Sequence, residues 1–288
     1  EKRITVLKEI ASGFEEVTKL DFENVSDMIF SNDAKFLIAL NTLGEVRFYN
    51  TEDYSNQDEK SFSDPSFSFI QTFTVSGVEY LLVSGDKNRL INLYRKEEVA
   101  ISELDKLESS KKTISTQGAY LASYQKGELF LYSFNIESSQ LVLKVLDSID
   151  TTNDEVTILK FLGSNLIAVG SAKGVVKIYK ISSEKSVSLS STIKNHKNVE
   201  ISGIDLYKDS KESLIITSSF DNTINISKLS DTKDNISINA HKSWIRDIFF
   251  DKNQKKIYSV SQDKYVKYWF IDPEDIFKLL KLTINEYE

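Results

Sequence analysis

Six times along the chain, a run of alternating apolar and polar residues is followed by a more continuously apolar run and then by a third short one. The third runs are EVRFY ending at Tyr49, LINLY at Tyr94, ELFLY at Tyr132, VVKIY at Tyr179, TINIS at Ser227 and YVKYW at Trp269. Their ends are separated by 45, 38, 47, 48 and 42 residues. The second runs are KFLIAL, EYLLVSG, AYLASY, NLIAVGS, SLIITSS and KIYSVS, and the first ones include VSDMIF, VTILKF and ISGIDLY. Period-two alternation over short runs, divided by Gly, Asn, Asp and Ser, predicts strands joined by tight turns. A period that survives while the residues drift marks an internal repeat. Further apolar runs such as EEVAISEL, LVLKVLDS and KSVSLSSTI supply a fourth, outer strand. Helical patterning arises only in IDPEDIFKLLKLTINEYE, where Asp272 suits a cap, Pro273 a first position, and Glu274 and Asp275 the positive end. A short helix is predicted over 273–281, either covering the closure of the array or presenting Phe277 and Leu280 to a partner.

Residues 240–272, AHKSWIRDIFFDKNQKKIYSVSQDKYVKYWFID, hold one whole unit. His241 precedes a strand from Trp244 to Phe250, a second strand ends at Ser261, a turn falls at Asp263, and a third strand ends at Trp269. This unit resembles a WD repeat, the building block of one family of β-propellers. The resemblance implies one all-β domain over 1–288, a propeller of four-stranded antiparallel blades. The repeats fall near 25–64, 69–104, 111–146, 156–194, 199–238 and 241–272. Two N-terminal pieces, RITVLKEI and EEVTKLDFE, precede the first. One of them completes the last blade of six, or both join the C-terminal segment in a seventh, degenerate blade; six is the expected number.

In that family a His before the first strand, a Ser or Thr on the second, an Asp in the next turn and a Trp on the third form a buried hydrogen-bonded chain. Here the resemblance carries those roles to His241, Ser259, Asp263 and Trp269. An imidazole that both donates and accepts can link an acceptor-only carboxylate to a hydroxyl without stranding a polar atom. The fifth repeat keeps His196, Thr217 and Asp221 but has Ser227 in the Trp position. The second keeps Ser84, offers Asn88 for Asp and Tyr94 for Trp. Leu43, Lys126 and Lys173 occupy the turn position elsewhere, so the chain is expected whole in one repeat, partial in two and absent from three.

Composition narrows the function. A net charge of −7 argues against nucleic acid, whose binding releases counterions to basic surfaces, and the lysines read as scattered. The acidic stretches 51–64 and 147–155 lack the ligand spacing and bend glycine of a calcium loop and read as solvated turns. There is no cysteine, phosphate loop, nucleophile elbow or paired-histidine zinc motif, and both histidines are already placed in the repeats. No catalytic residue, metal or cofactor is therefore expected, and no apolar run is long enough to enter a membrane.

What remains is a non-catalytic scaffold that binds one or more proteins. By the same resemblance, partners dock on the rim where first strands begin and second-to-third turns emerge. That places Trp244 and Arg246 at a strand entry, and Phe220, Lys87 and Gln262 just before turn residues, as the expected interaction surface. Large aromatics and arginine dominate interface hot spots. The chain begins with Glu1, which fits a trimmed or processed start and leaves periplasm and cytoplasm both open. It also looks like exported bacterial propellers that serve respiratory reductases, the periplasmic nitrate reductase among them. The alternatives are a eukaryotic cytosolic WD-repeat adaptor, and a propeller enzyme or small-ligand binder using polar groups at the central channel.

Overall fold

The first and second apolar runs of the repeats fold as strands whose burial follows their pattern, whereas the outer run EEVAISEL pairs only at Glu97–Glu98. First strands alternate, as in Val25–Phe30, whereas second strands such as Phe36–Asn41 and Ser213–Ser219 are buried almost throughout. A strand covered on both faces must be continuously apolar, which is why the second runs carry so little alternation. The computed structural model describes residues 3–10, 13–57, 61–95, 97–101, 104, 107, 111–115, 120–137, 140–151, 155–208, 213–233 and 235–270. The helix expected over 273–281 lies outside them.

The chain divides into two compact units: Glu1–Ser110 with Thr116–Tyr120 and Ser133–Lys144, and Lys111–Ser115 with Leu121–Tyr132 and Val145–Glu288. In the first, β1 (Ile4–Ile10) and β2 (Gly13–Leu20) form a separate antiparallel hairpin. Next come β3 (Val25–Phe30), β4 (Phe36–Asn41), β5 (Glu45–Asn50) and β6 (Phe62–Ser63), then β7 (Phe69–Val75), β8 (Val78–Ser84), β9 (Arg89–Asn92) and β10 (Glu97–Glu98), each set a four-stranded sheet in sequence order. A third such sheet has its strands divided between the units: β11 (Lys111–Ile114), β12 (Tyr120–Gln125), β13 (Glu128–Glu137) and β14 (Gln140–Asp150). The second unit holds β15 (Val156–Phe161), β16 (Leu166–Ser171), β17 (Val176–Ile181) and β18 (Val187–Ile193), then β19 (Ile201–Lys208), β20 (Ser213–Ser219), β21 (Thr223–Lys228) and β22 (Asn235–Asn239). It ends with the three strands β23 (Ile245–Asp251), β24 (Lys256–Ser261) and β25 (Val266–Phe270).

These six sheets are the six blades of a propeller built from antiparallel strands. One expectation is corrected: β1 pairs with β2 and supplies no strand to the last sheet, which has three strands among the described residues. The hairpin instead buries Ile4 and Leu20, with Phe22, against Leu37, Ala39 and Tyr49 of the first blade. It pairs within itself as a two-stranded unit and uses its apolar face as a lid on that blade. The third-strand register also slips once. β9 ends at Asn92, and Tyr94 is 89% exposed, whereas Tyr49 and Tyr179 at the same apparent position are buried. Asn92 Oδ1 accepts the N–H groups of Tyr94 and Arg95, turning the chain before the tyrosine can enter the sheet.

Neighbouring sheets are joined by packing and by side-chain bonds to backbone. Ile38, Leu40, Val46 and Phe48 pack on Ile70, Leu81 and Val83 in the first unit; Ile216, Ile224 and Ile226 pack on Ile245, Ile248 and Ile257 in the second. Four first strands carry a register shift of the β-bulge kind near their entry, at Val25/Asp27, Val156/Ile158, Ile201/Gly203 and Ile245/Asp247. A bulge interrupts a ladder and leaves backbone groups for other partners. Asp27 Oδ2 accepts the N–H of Ile70 at 3.2 Å, and Asp205 Oδ2 that of Phe250 at 2.9 Å. The Thr157 hydroxyl donates to Ile201 O at 2.7 Å. Each bond ties one first strand to the next, so blade order is fixed by hydrogen bonds as well as apolar area.

Candidate protein-interaction surface

The rim of the second unit is built on two buried polar networks. In the last blade, His241 Nδ1 donates to the Asp263 carboxylate at 2.9 and 3.1 Å, and with the proton there Nε2 accepts the Ser259 hydroxyl at 2.7 Å. Asp263 also accepts the N–H of Lys242 at 3.0 Å and that of Tyr265 at 3.1 Å. Burial works to raise this carboxyl, but the Lys242 N–H, the His241 ring and the Tyr265 N–H outweigh it and hold it well below the usual carboxylate range. Trp269 meets the network through its ring, edge-on to His241 at 5.8 Å between centroids.

The fifth blade, expected to be partial, closes its network with different residues. His196 Nδ1 donates to Asp221 Oδ2 at 3.1 Å, and Nε2 accepts the Thr217 hydroxyl at 2.8 Å. Asp221 Oδ1 takes both the N–H and the hydroxyl of Thr223, at 2.9 and 2.6 Å. Burial opposes ionisation of Asp221, yet His196 and Thr223 lower it overall. In the Trp position, Ser227 accepts Asn195 Nδ2 at 2.7 Å, and Asn225 Nδ2 reaches Asn195 O at 3.2 Å. A polar Asn between Ile224 and Ile226 was the sequence signal for this substitute.

The second blade has no such chain, which corrects the expectation there. Ser84 is the last residue of β8, two residues beyond the network position, which by strand register is Leu82. Asn88 donates through Nδ2 to Leu104 O at 2.9 Å and Leu107 O at 2.7 Å, so it anchors the connecting segment instead of standing in for Asp.

Above the two histidine networks, turns sit against loops. Asn222 O accepts the N–H groups of Ala240 and His241, and the Gln262 N–H reaches Trp244 O at 2.9 Å. This holds the β20–β21 turn, the entry to β23 and the β24–β25 turn together. Phe220 and Trp244 then stack, centroids 4.9 Å apart and 10° from parallel, and the Arg246 guanidinium lies 5.1 and 5.4 Å from the two rings. Trp244 stays 46% exposed, and Arg246 and Gln262 are exposed beside it. Of the five residues expected at a rim, Phe220, Trp244, Arg246 and Gln262 thus meet in one place. Lys87 is exposed at the β8–β9 turn of the first unit.

In the first unit, the acids of one groove are already engaged. A groove of about 1190 Å³ in the first unit is lined by Asp33, Lys35, Glu79, Asn92 and Arg95 among others. Glu79 is pushed up by burial but accepts the Asn32 N–H, and Asp33 is committed to Ser31 and Lys35. Asn225, which sits in a glycosylation sequon, is 1% exposed. Among the described residues no group of three or more His, Asp or Glu side chains could hold a metal ion, and no helix is long and apolar enough to cross a membrane.

Comparison with known proteins agrees with this geometry. The family model described as "WD domain, G-beta repeat" matches residues 233–269, the last described blade with its entry loop. The β-propeller domain of Myceliophteria thermophila Cps50 (Swd1) superposes with a TM-score of 0.70 at 11% identity, covering 89% of this chain and 87% of that one. The computationally designed Ika8 protein gives 0.60 at 17% identity, covering 88% and 73%. No curated protein matches the chain in sequence. The chain is therefore a β-propeller in which residues 233–269 match a WD repeat.

Proposed function

We propose that this propeller binds a protein partner on the rim formed by Phe220, Trp244, Arg246 and Gln262, and so holds or assembles a complex. The observation that carries the reading is the half-exposed Trp244, pre-stacked on Phe220 with Arg246 against both rings. Rigid aromatic area beside an unpaired guanidinium loses little entropy on binding and is the residue chemistry of interface hot spots. The test is affinity capture of the tagged chain from its own organism, with Trp244→Ala and Phe220→Ala as controls. A stoichiometric partner that disappears in both variants supports the reading; one that survives both refutes this surface. A respiratory reductase subunit in the capture would favour the exported version of the scaffold, and a cytosolic assembly the adaptor version.

A further inference from the structure

We propose that the segment bound at this rim is acidic, with an apolar residue seated on Trp244 and carboxylates around it; this rests on the rim reading above and names its partner's chemistry. The chain as a whole carries −7, yet the loops at this end of the second unit are rich in exposed cations: Lys173, Lys197, Lys242, Arg246 and Lys264. The backbone brings those loops together. A Cβ on Gly174, next to Lys173, would fall 1.9 Å from His196 O, so that turn lies directly on the loop that bears Lys197. Lys242 donates its N–H to Asp263, the residue before Lys264. Phe220, whose ring meets Arg246, bonds through its N–H to Glu200 O at the end of the Lys197 loop.

The carboxylates nearby do not cancel this charge. Asp221 and Asp263 are turned inward onto their histidines and backbone N–H groups; among the described residues Glu155 and Glu200 are the remaining acids of these loops, and Asp154 precedes Glu155 in the sequence. Among the described residues, none of the five cations is in an ion pair. Arg246 packs against two rings, and its planar fork of donors suits a carboxylate bidentately. A rim that joins exposed cations to stacked aromatics attracts an acidic chain and orients it there.

Fluorescence anisotropy would test this with short labelled peptides that share a central leucine pair and differ in flanks: aspartate and glutamate, serine and glycine, or lysine. At about 0.1 M salt the acidic peptide should bind at least about tenfold more tightly than the neutral one. Lys242→Glu with Lys264→Glu should abolish that preference. Lys233→Glu with Lys252→Glu, an equal charge change at the opposite end of the same sheets, should not. Equal binding of acidic and neutral peptides that still requires Trp244 would sink the acidic partner and leave the rim reading intact. Preference for the lysine peptide, no binding of any peptide, or an oligothymidylate competing as well as the acidic peptide would each overturn the proposal.

Discussion

The two histidine networks look alike, yet they should respond differently to the same substitution. In Asp221→Asn the amide oxygen keeps both bonds from Thr223, and only the contact with His196 changes. The ring accommodates it by moving its proton to Nε2, which then donates to the Thr217 hydroxyl, while Nδ1 accepts from the new amide. The number of bonds is conserved and only their charge assistance is lost, about 1 kcal/mol. In Asp263→Asn both oxygens already face a backbone N–H, Lys242 on one and Tyr265 on the other. A backbone donor cannot change role, so whichever end receives the NH₂ group strands one N–H and costs about 2–3 kcal/mol in total. Urea unfolding followed by tryptophan fluorescence suits the comparison, because both tryptophans, Trp244 and Trp269, lie in this blade. The pH dependence gives an independent check. Asp263 is depressed in the folded state, so its stabilisation is fully present above its unfolded value of about 3.9 and is lost as pH falls toward the folded one. The gap between the chain and Asp263→Asn should therefore narrow steadily below about pH 4. Equal costs for the two variants at neutral pH, or a gap that persists in acid, would refute this account of the networks.

Gly44 and Gly77 both hold positive φ, at +76° and +80°, but a Cβ on Gly44 would fall 1.7 Å from Asp64 O while one on Gly77 meets nothing within 4 Å. Gly77→Ala should cost only the roughly 1–2 kcal/mol of a left-handed backbone, and Gly44→Ala clearly more, in the same urea assay. Asn88→Ala removes the donors to Leu104 O and Leu107 O and should cost about 2 kcal/mol, with faster proteolysis between β10 and β11 as its local signature. Burial holds the Lys112 ammonium down to about 8. Because this value lies below the unfolded one of about 10.4, the unfolded chain holds the proton longer, so stability should climb as pH rises from about 8 to about 10, and Lys112→Met should flatten that climb.

The strands were legible because burial on alternating or both faces leaves its period in the sequence, and the repeat made each assignment support the others. What escaped was set by side-chain geometry. LINLY reads like EVRFY, yet Asn92 ends the strand by bonding forward to Tyr94 and Arg95, a choice made by one short amide. Counting motif residues likewise undervalued the fifth blade, because Asn195, Asn225 and Ser227 rebuild the missing end from residues outside the motif. The N-terminal runs were recognised as strands, but whether they pair with each other or with the last blade is a contest of edges that alternation does not report.

The rim shows most clearly why function was harder to read than fold. In the sequence Lys173, Lys197, Lys242 and Lys264 are separated by roughly half a repeat or more and look dispersed. A repeat fold returns the chain to the same end of the sheets in every unit, so residues that share a phase within the repeat become neighbours whatever their spacing. Charge clusters in such proteins must therefore be sought by phase. Taken that way, one end of the second unit gathers cations and stacked aromatics, while two of its acids, Asp221 and Asp263, turn inward to hold the histidines. The buried networks thereby serve the surface twice: they fix the loops that carry Phe220, Trp244 and Lys242, and they withdraw two carboxylates that would otherwise neutralise the face.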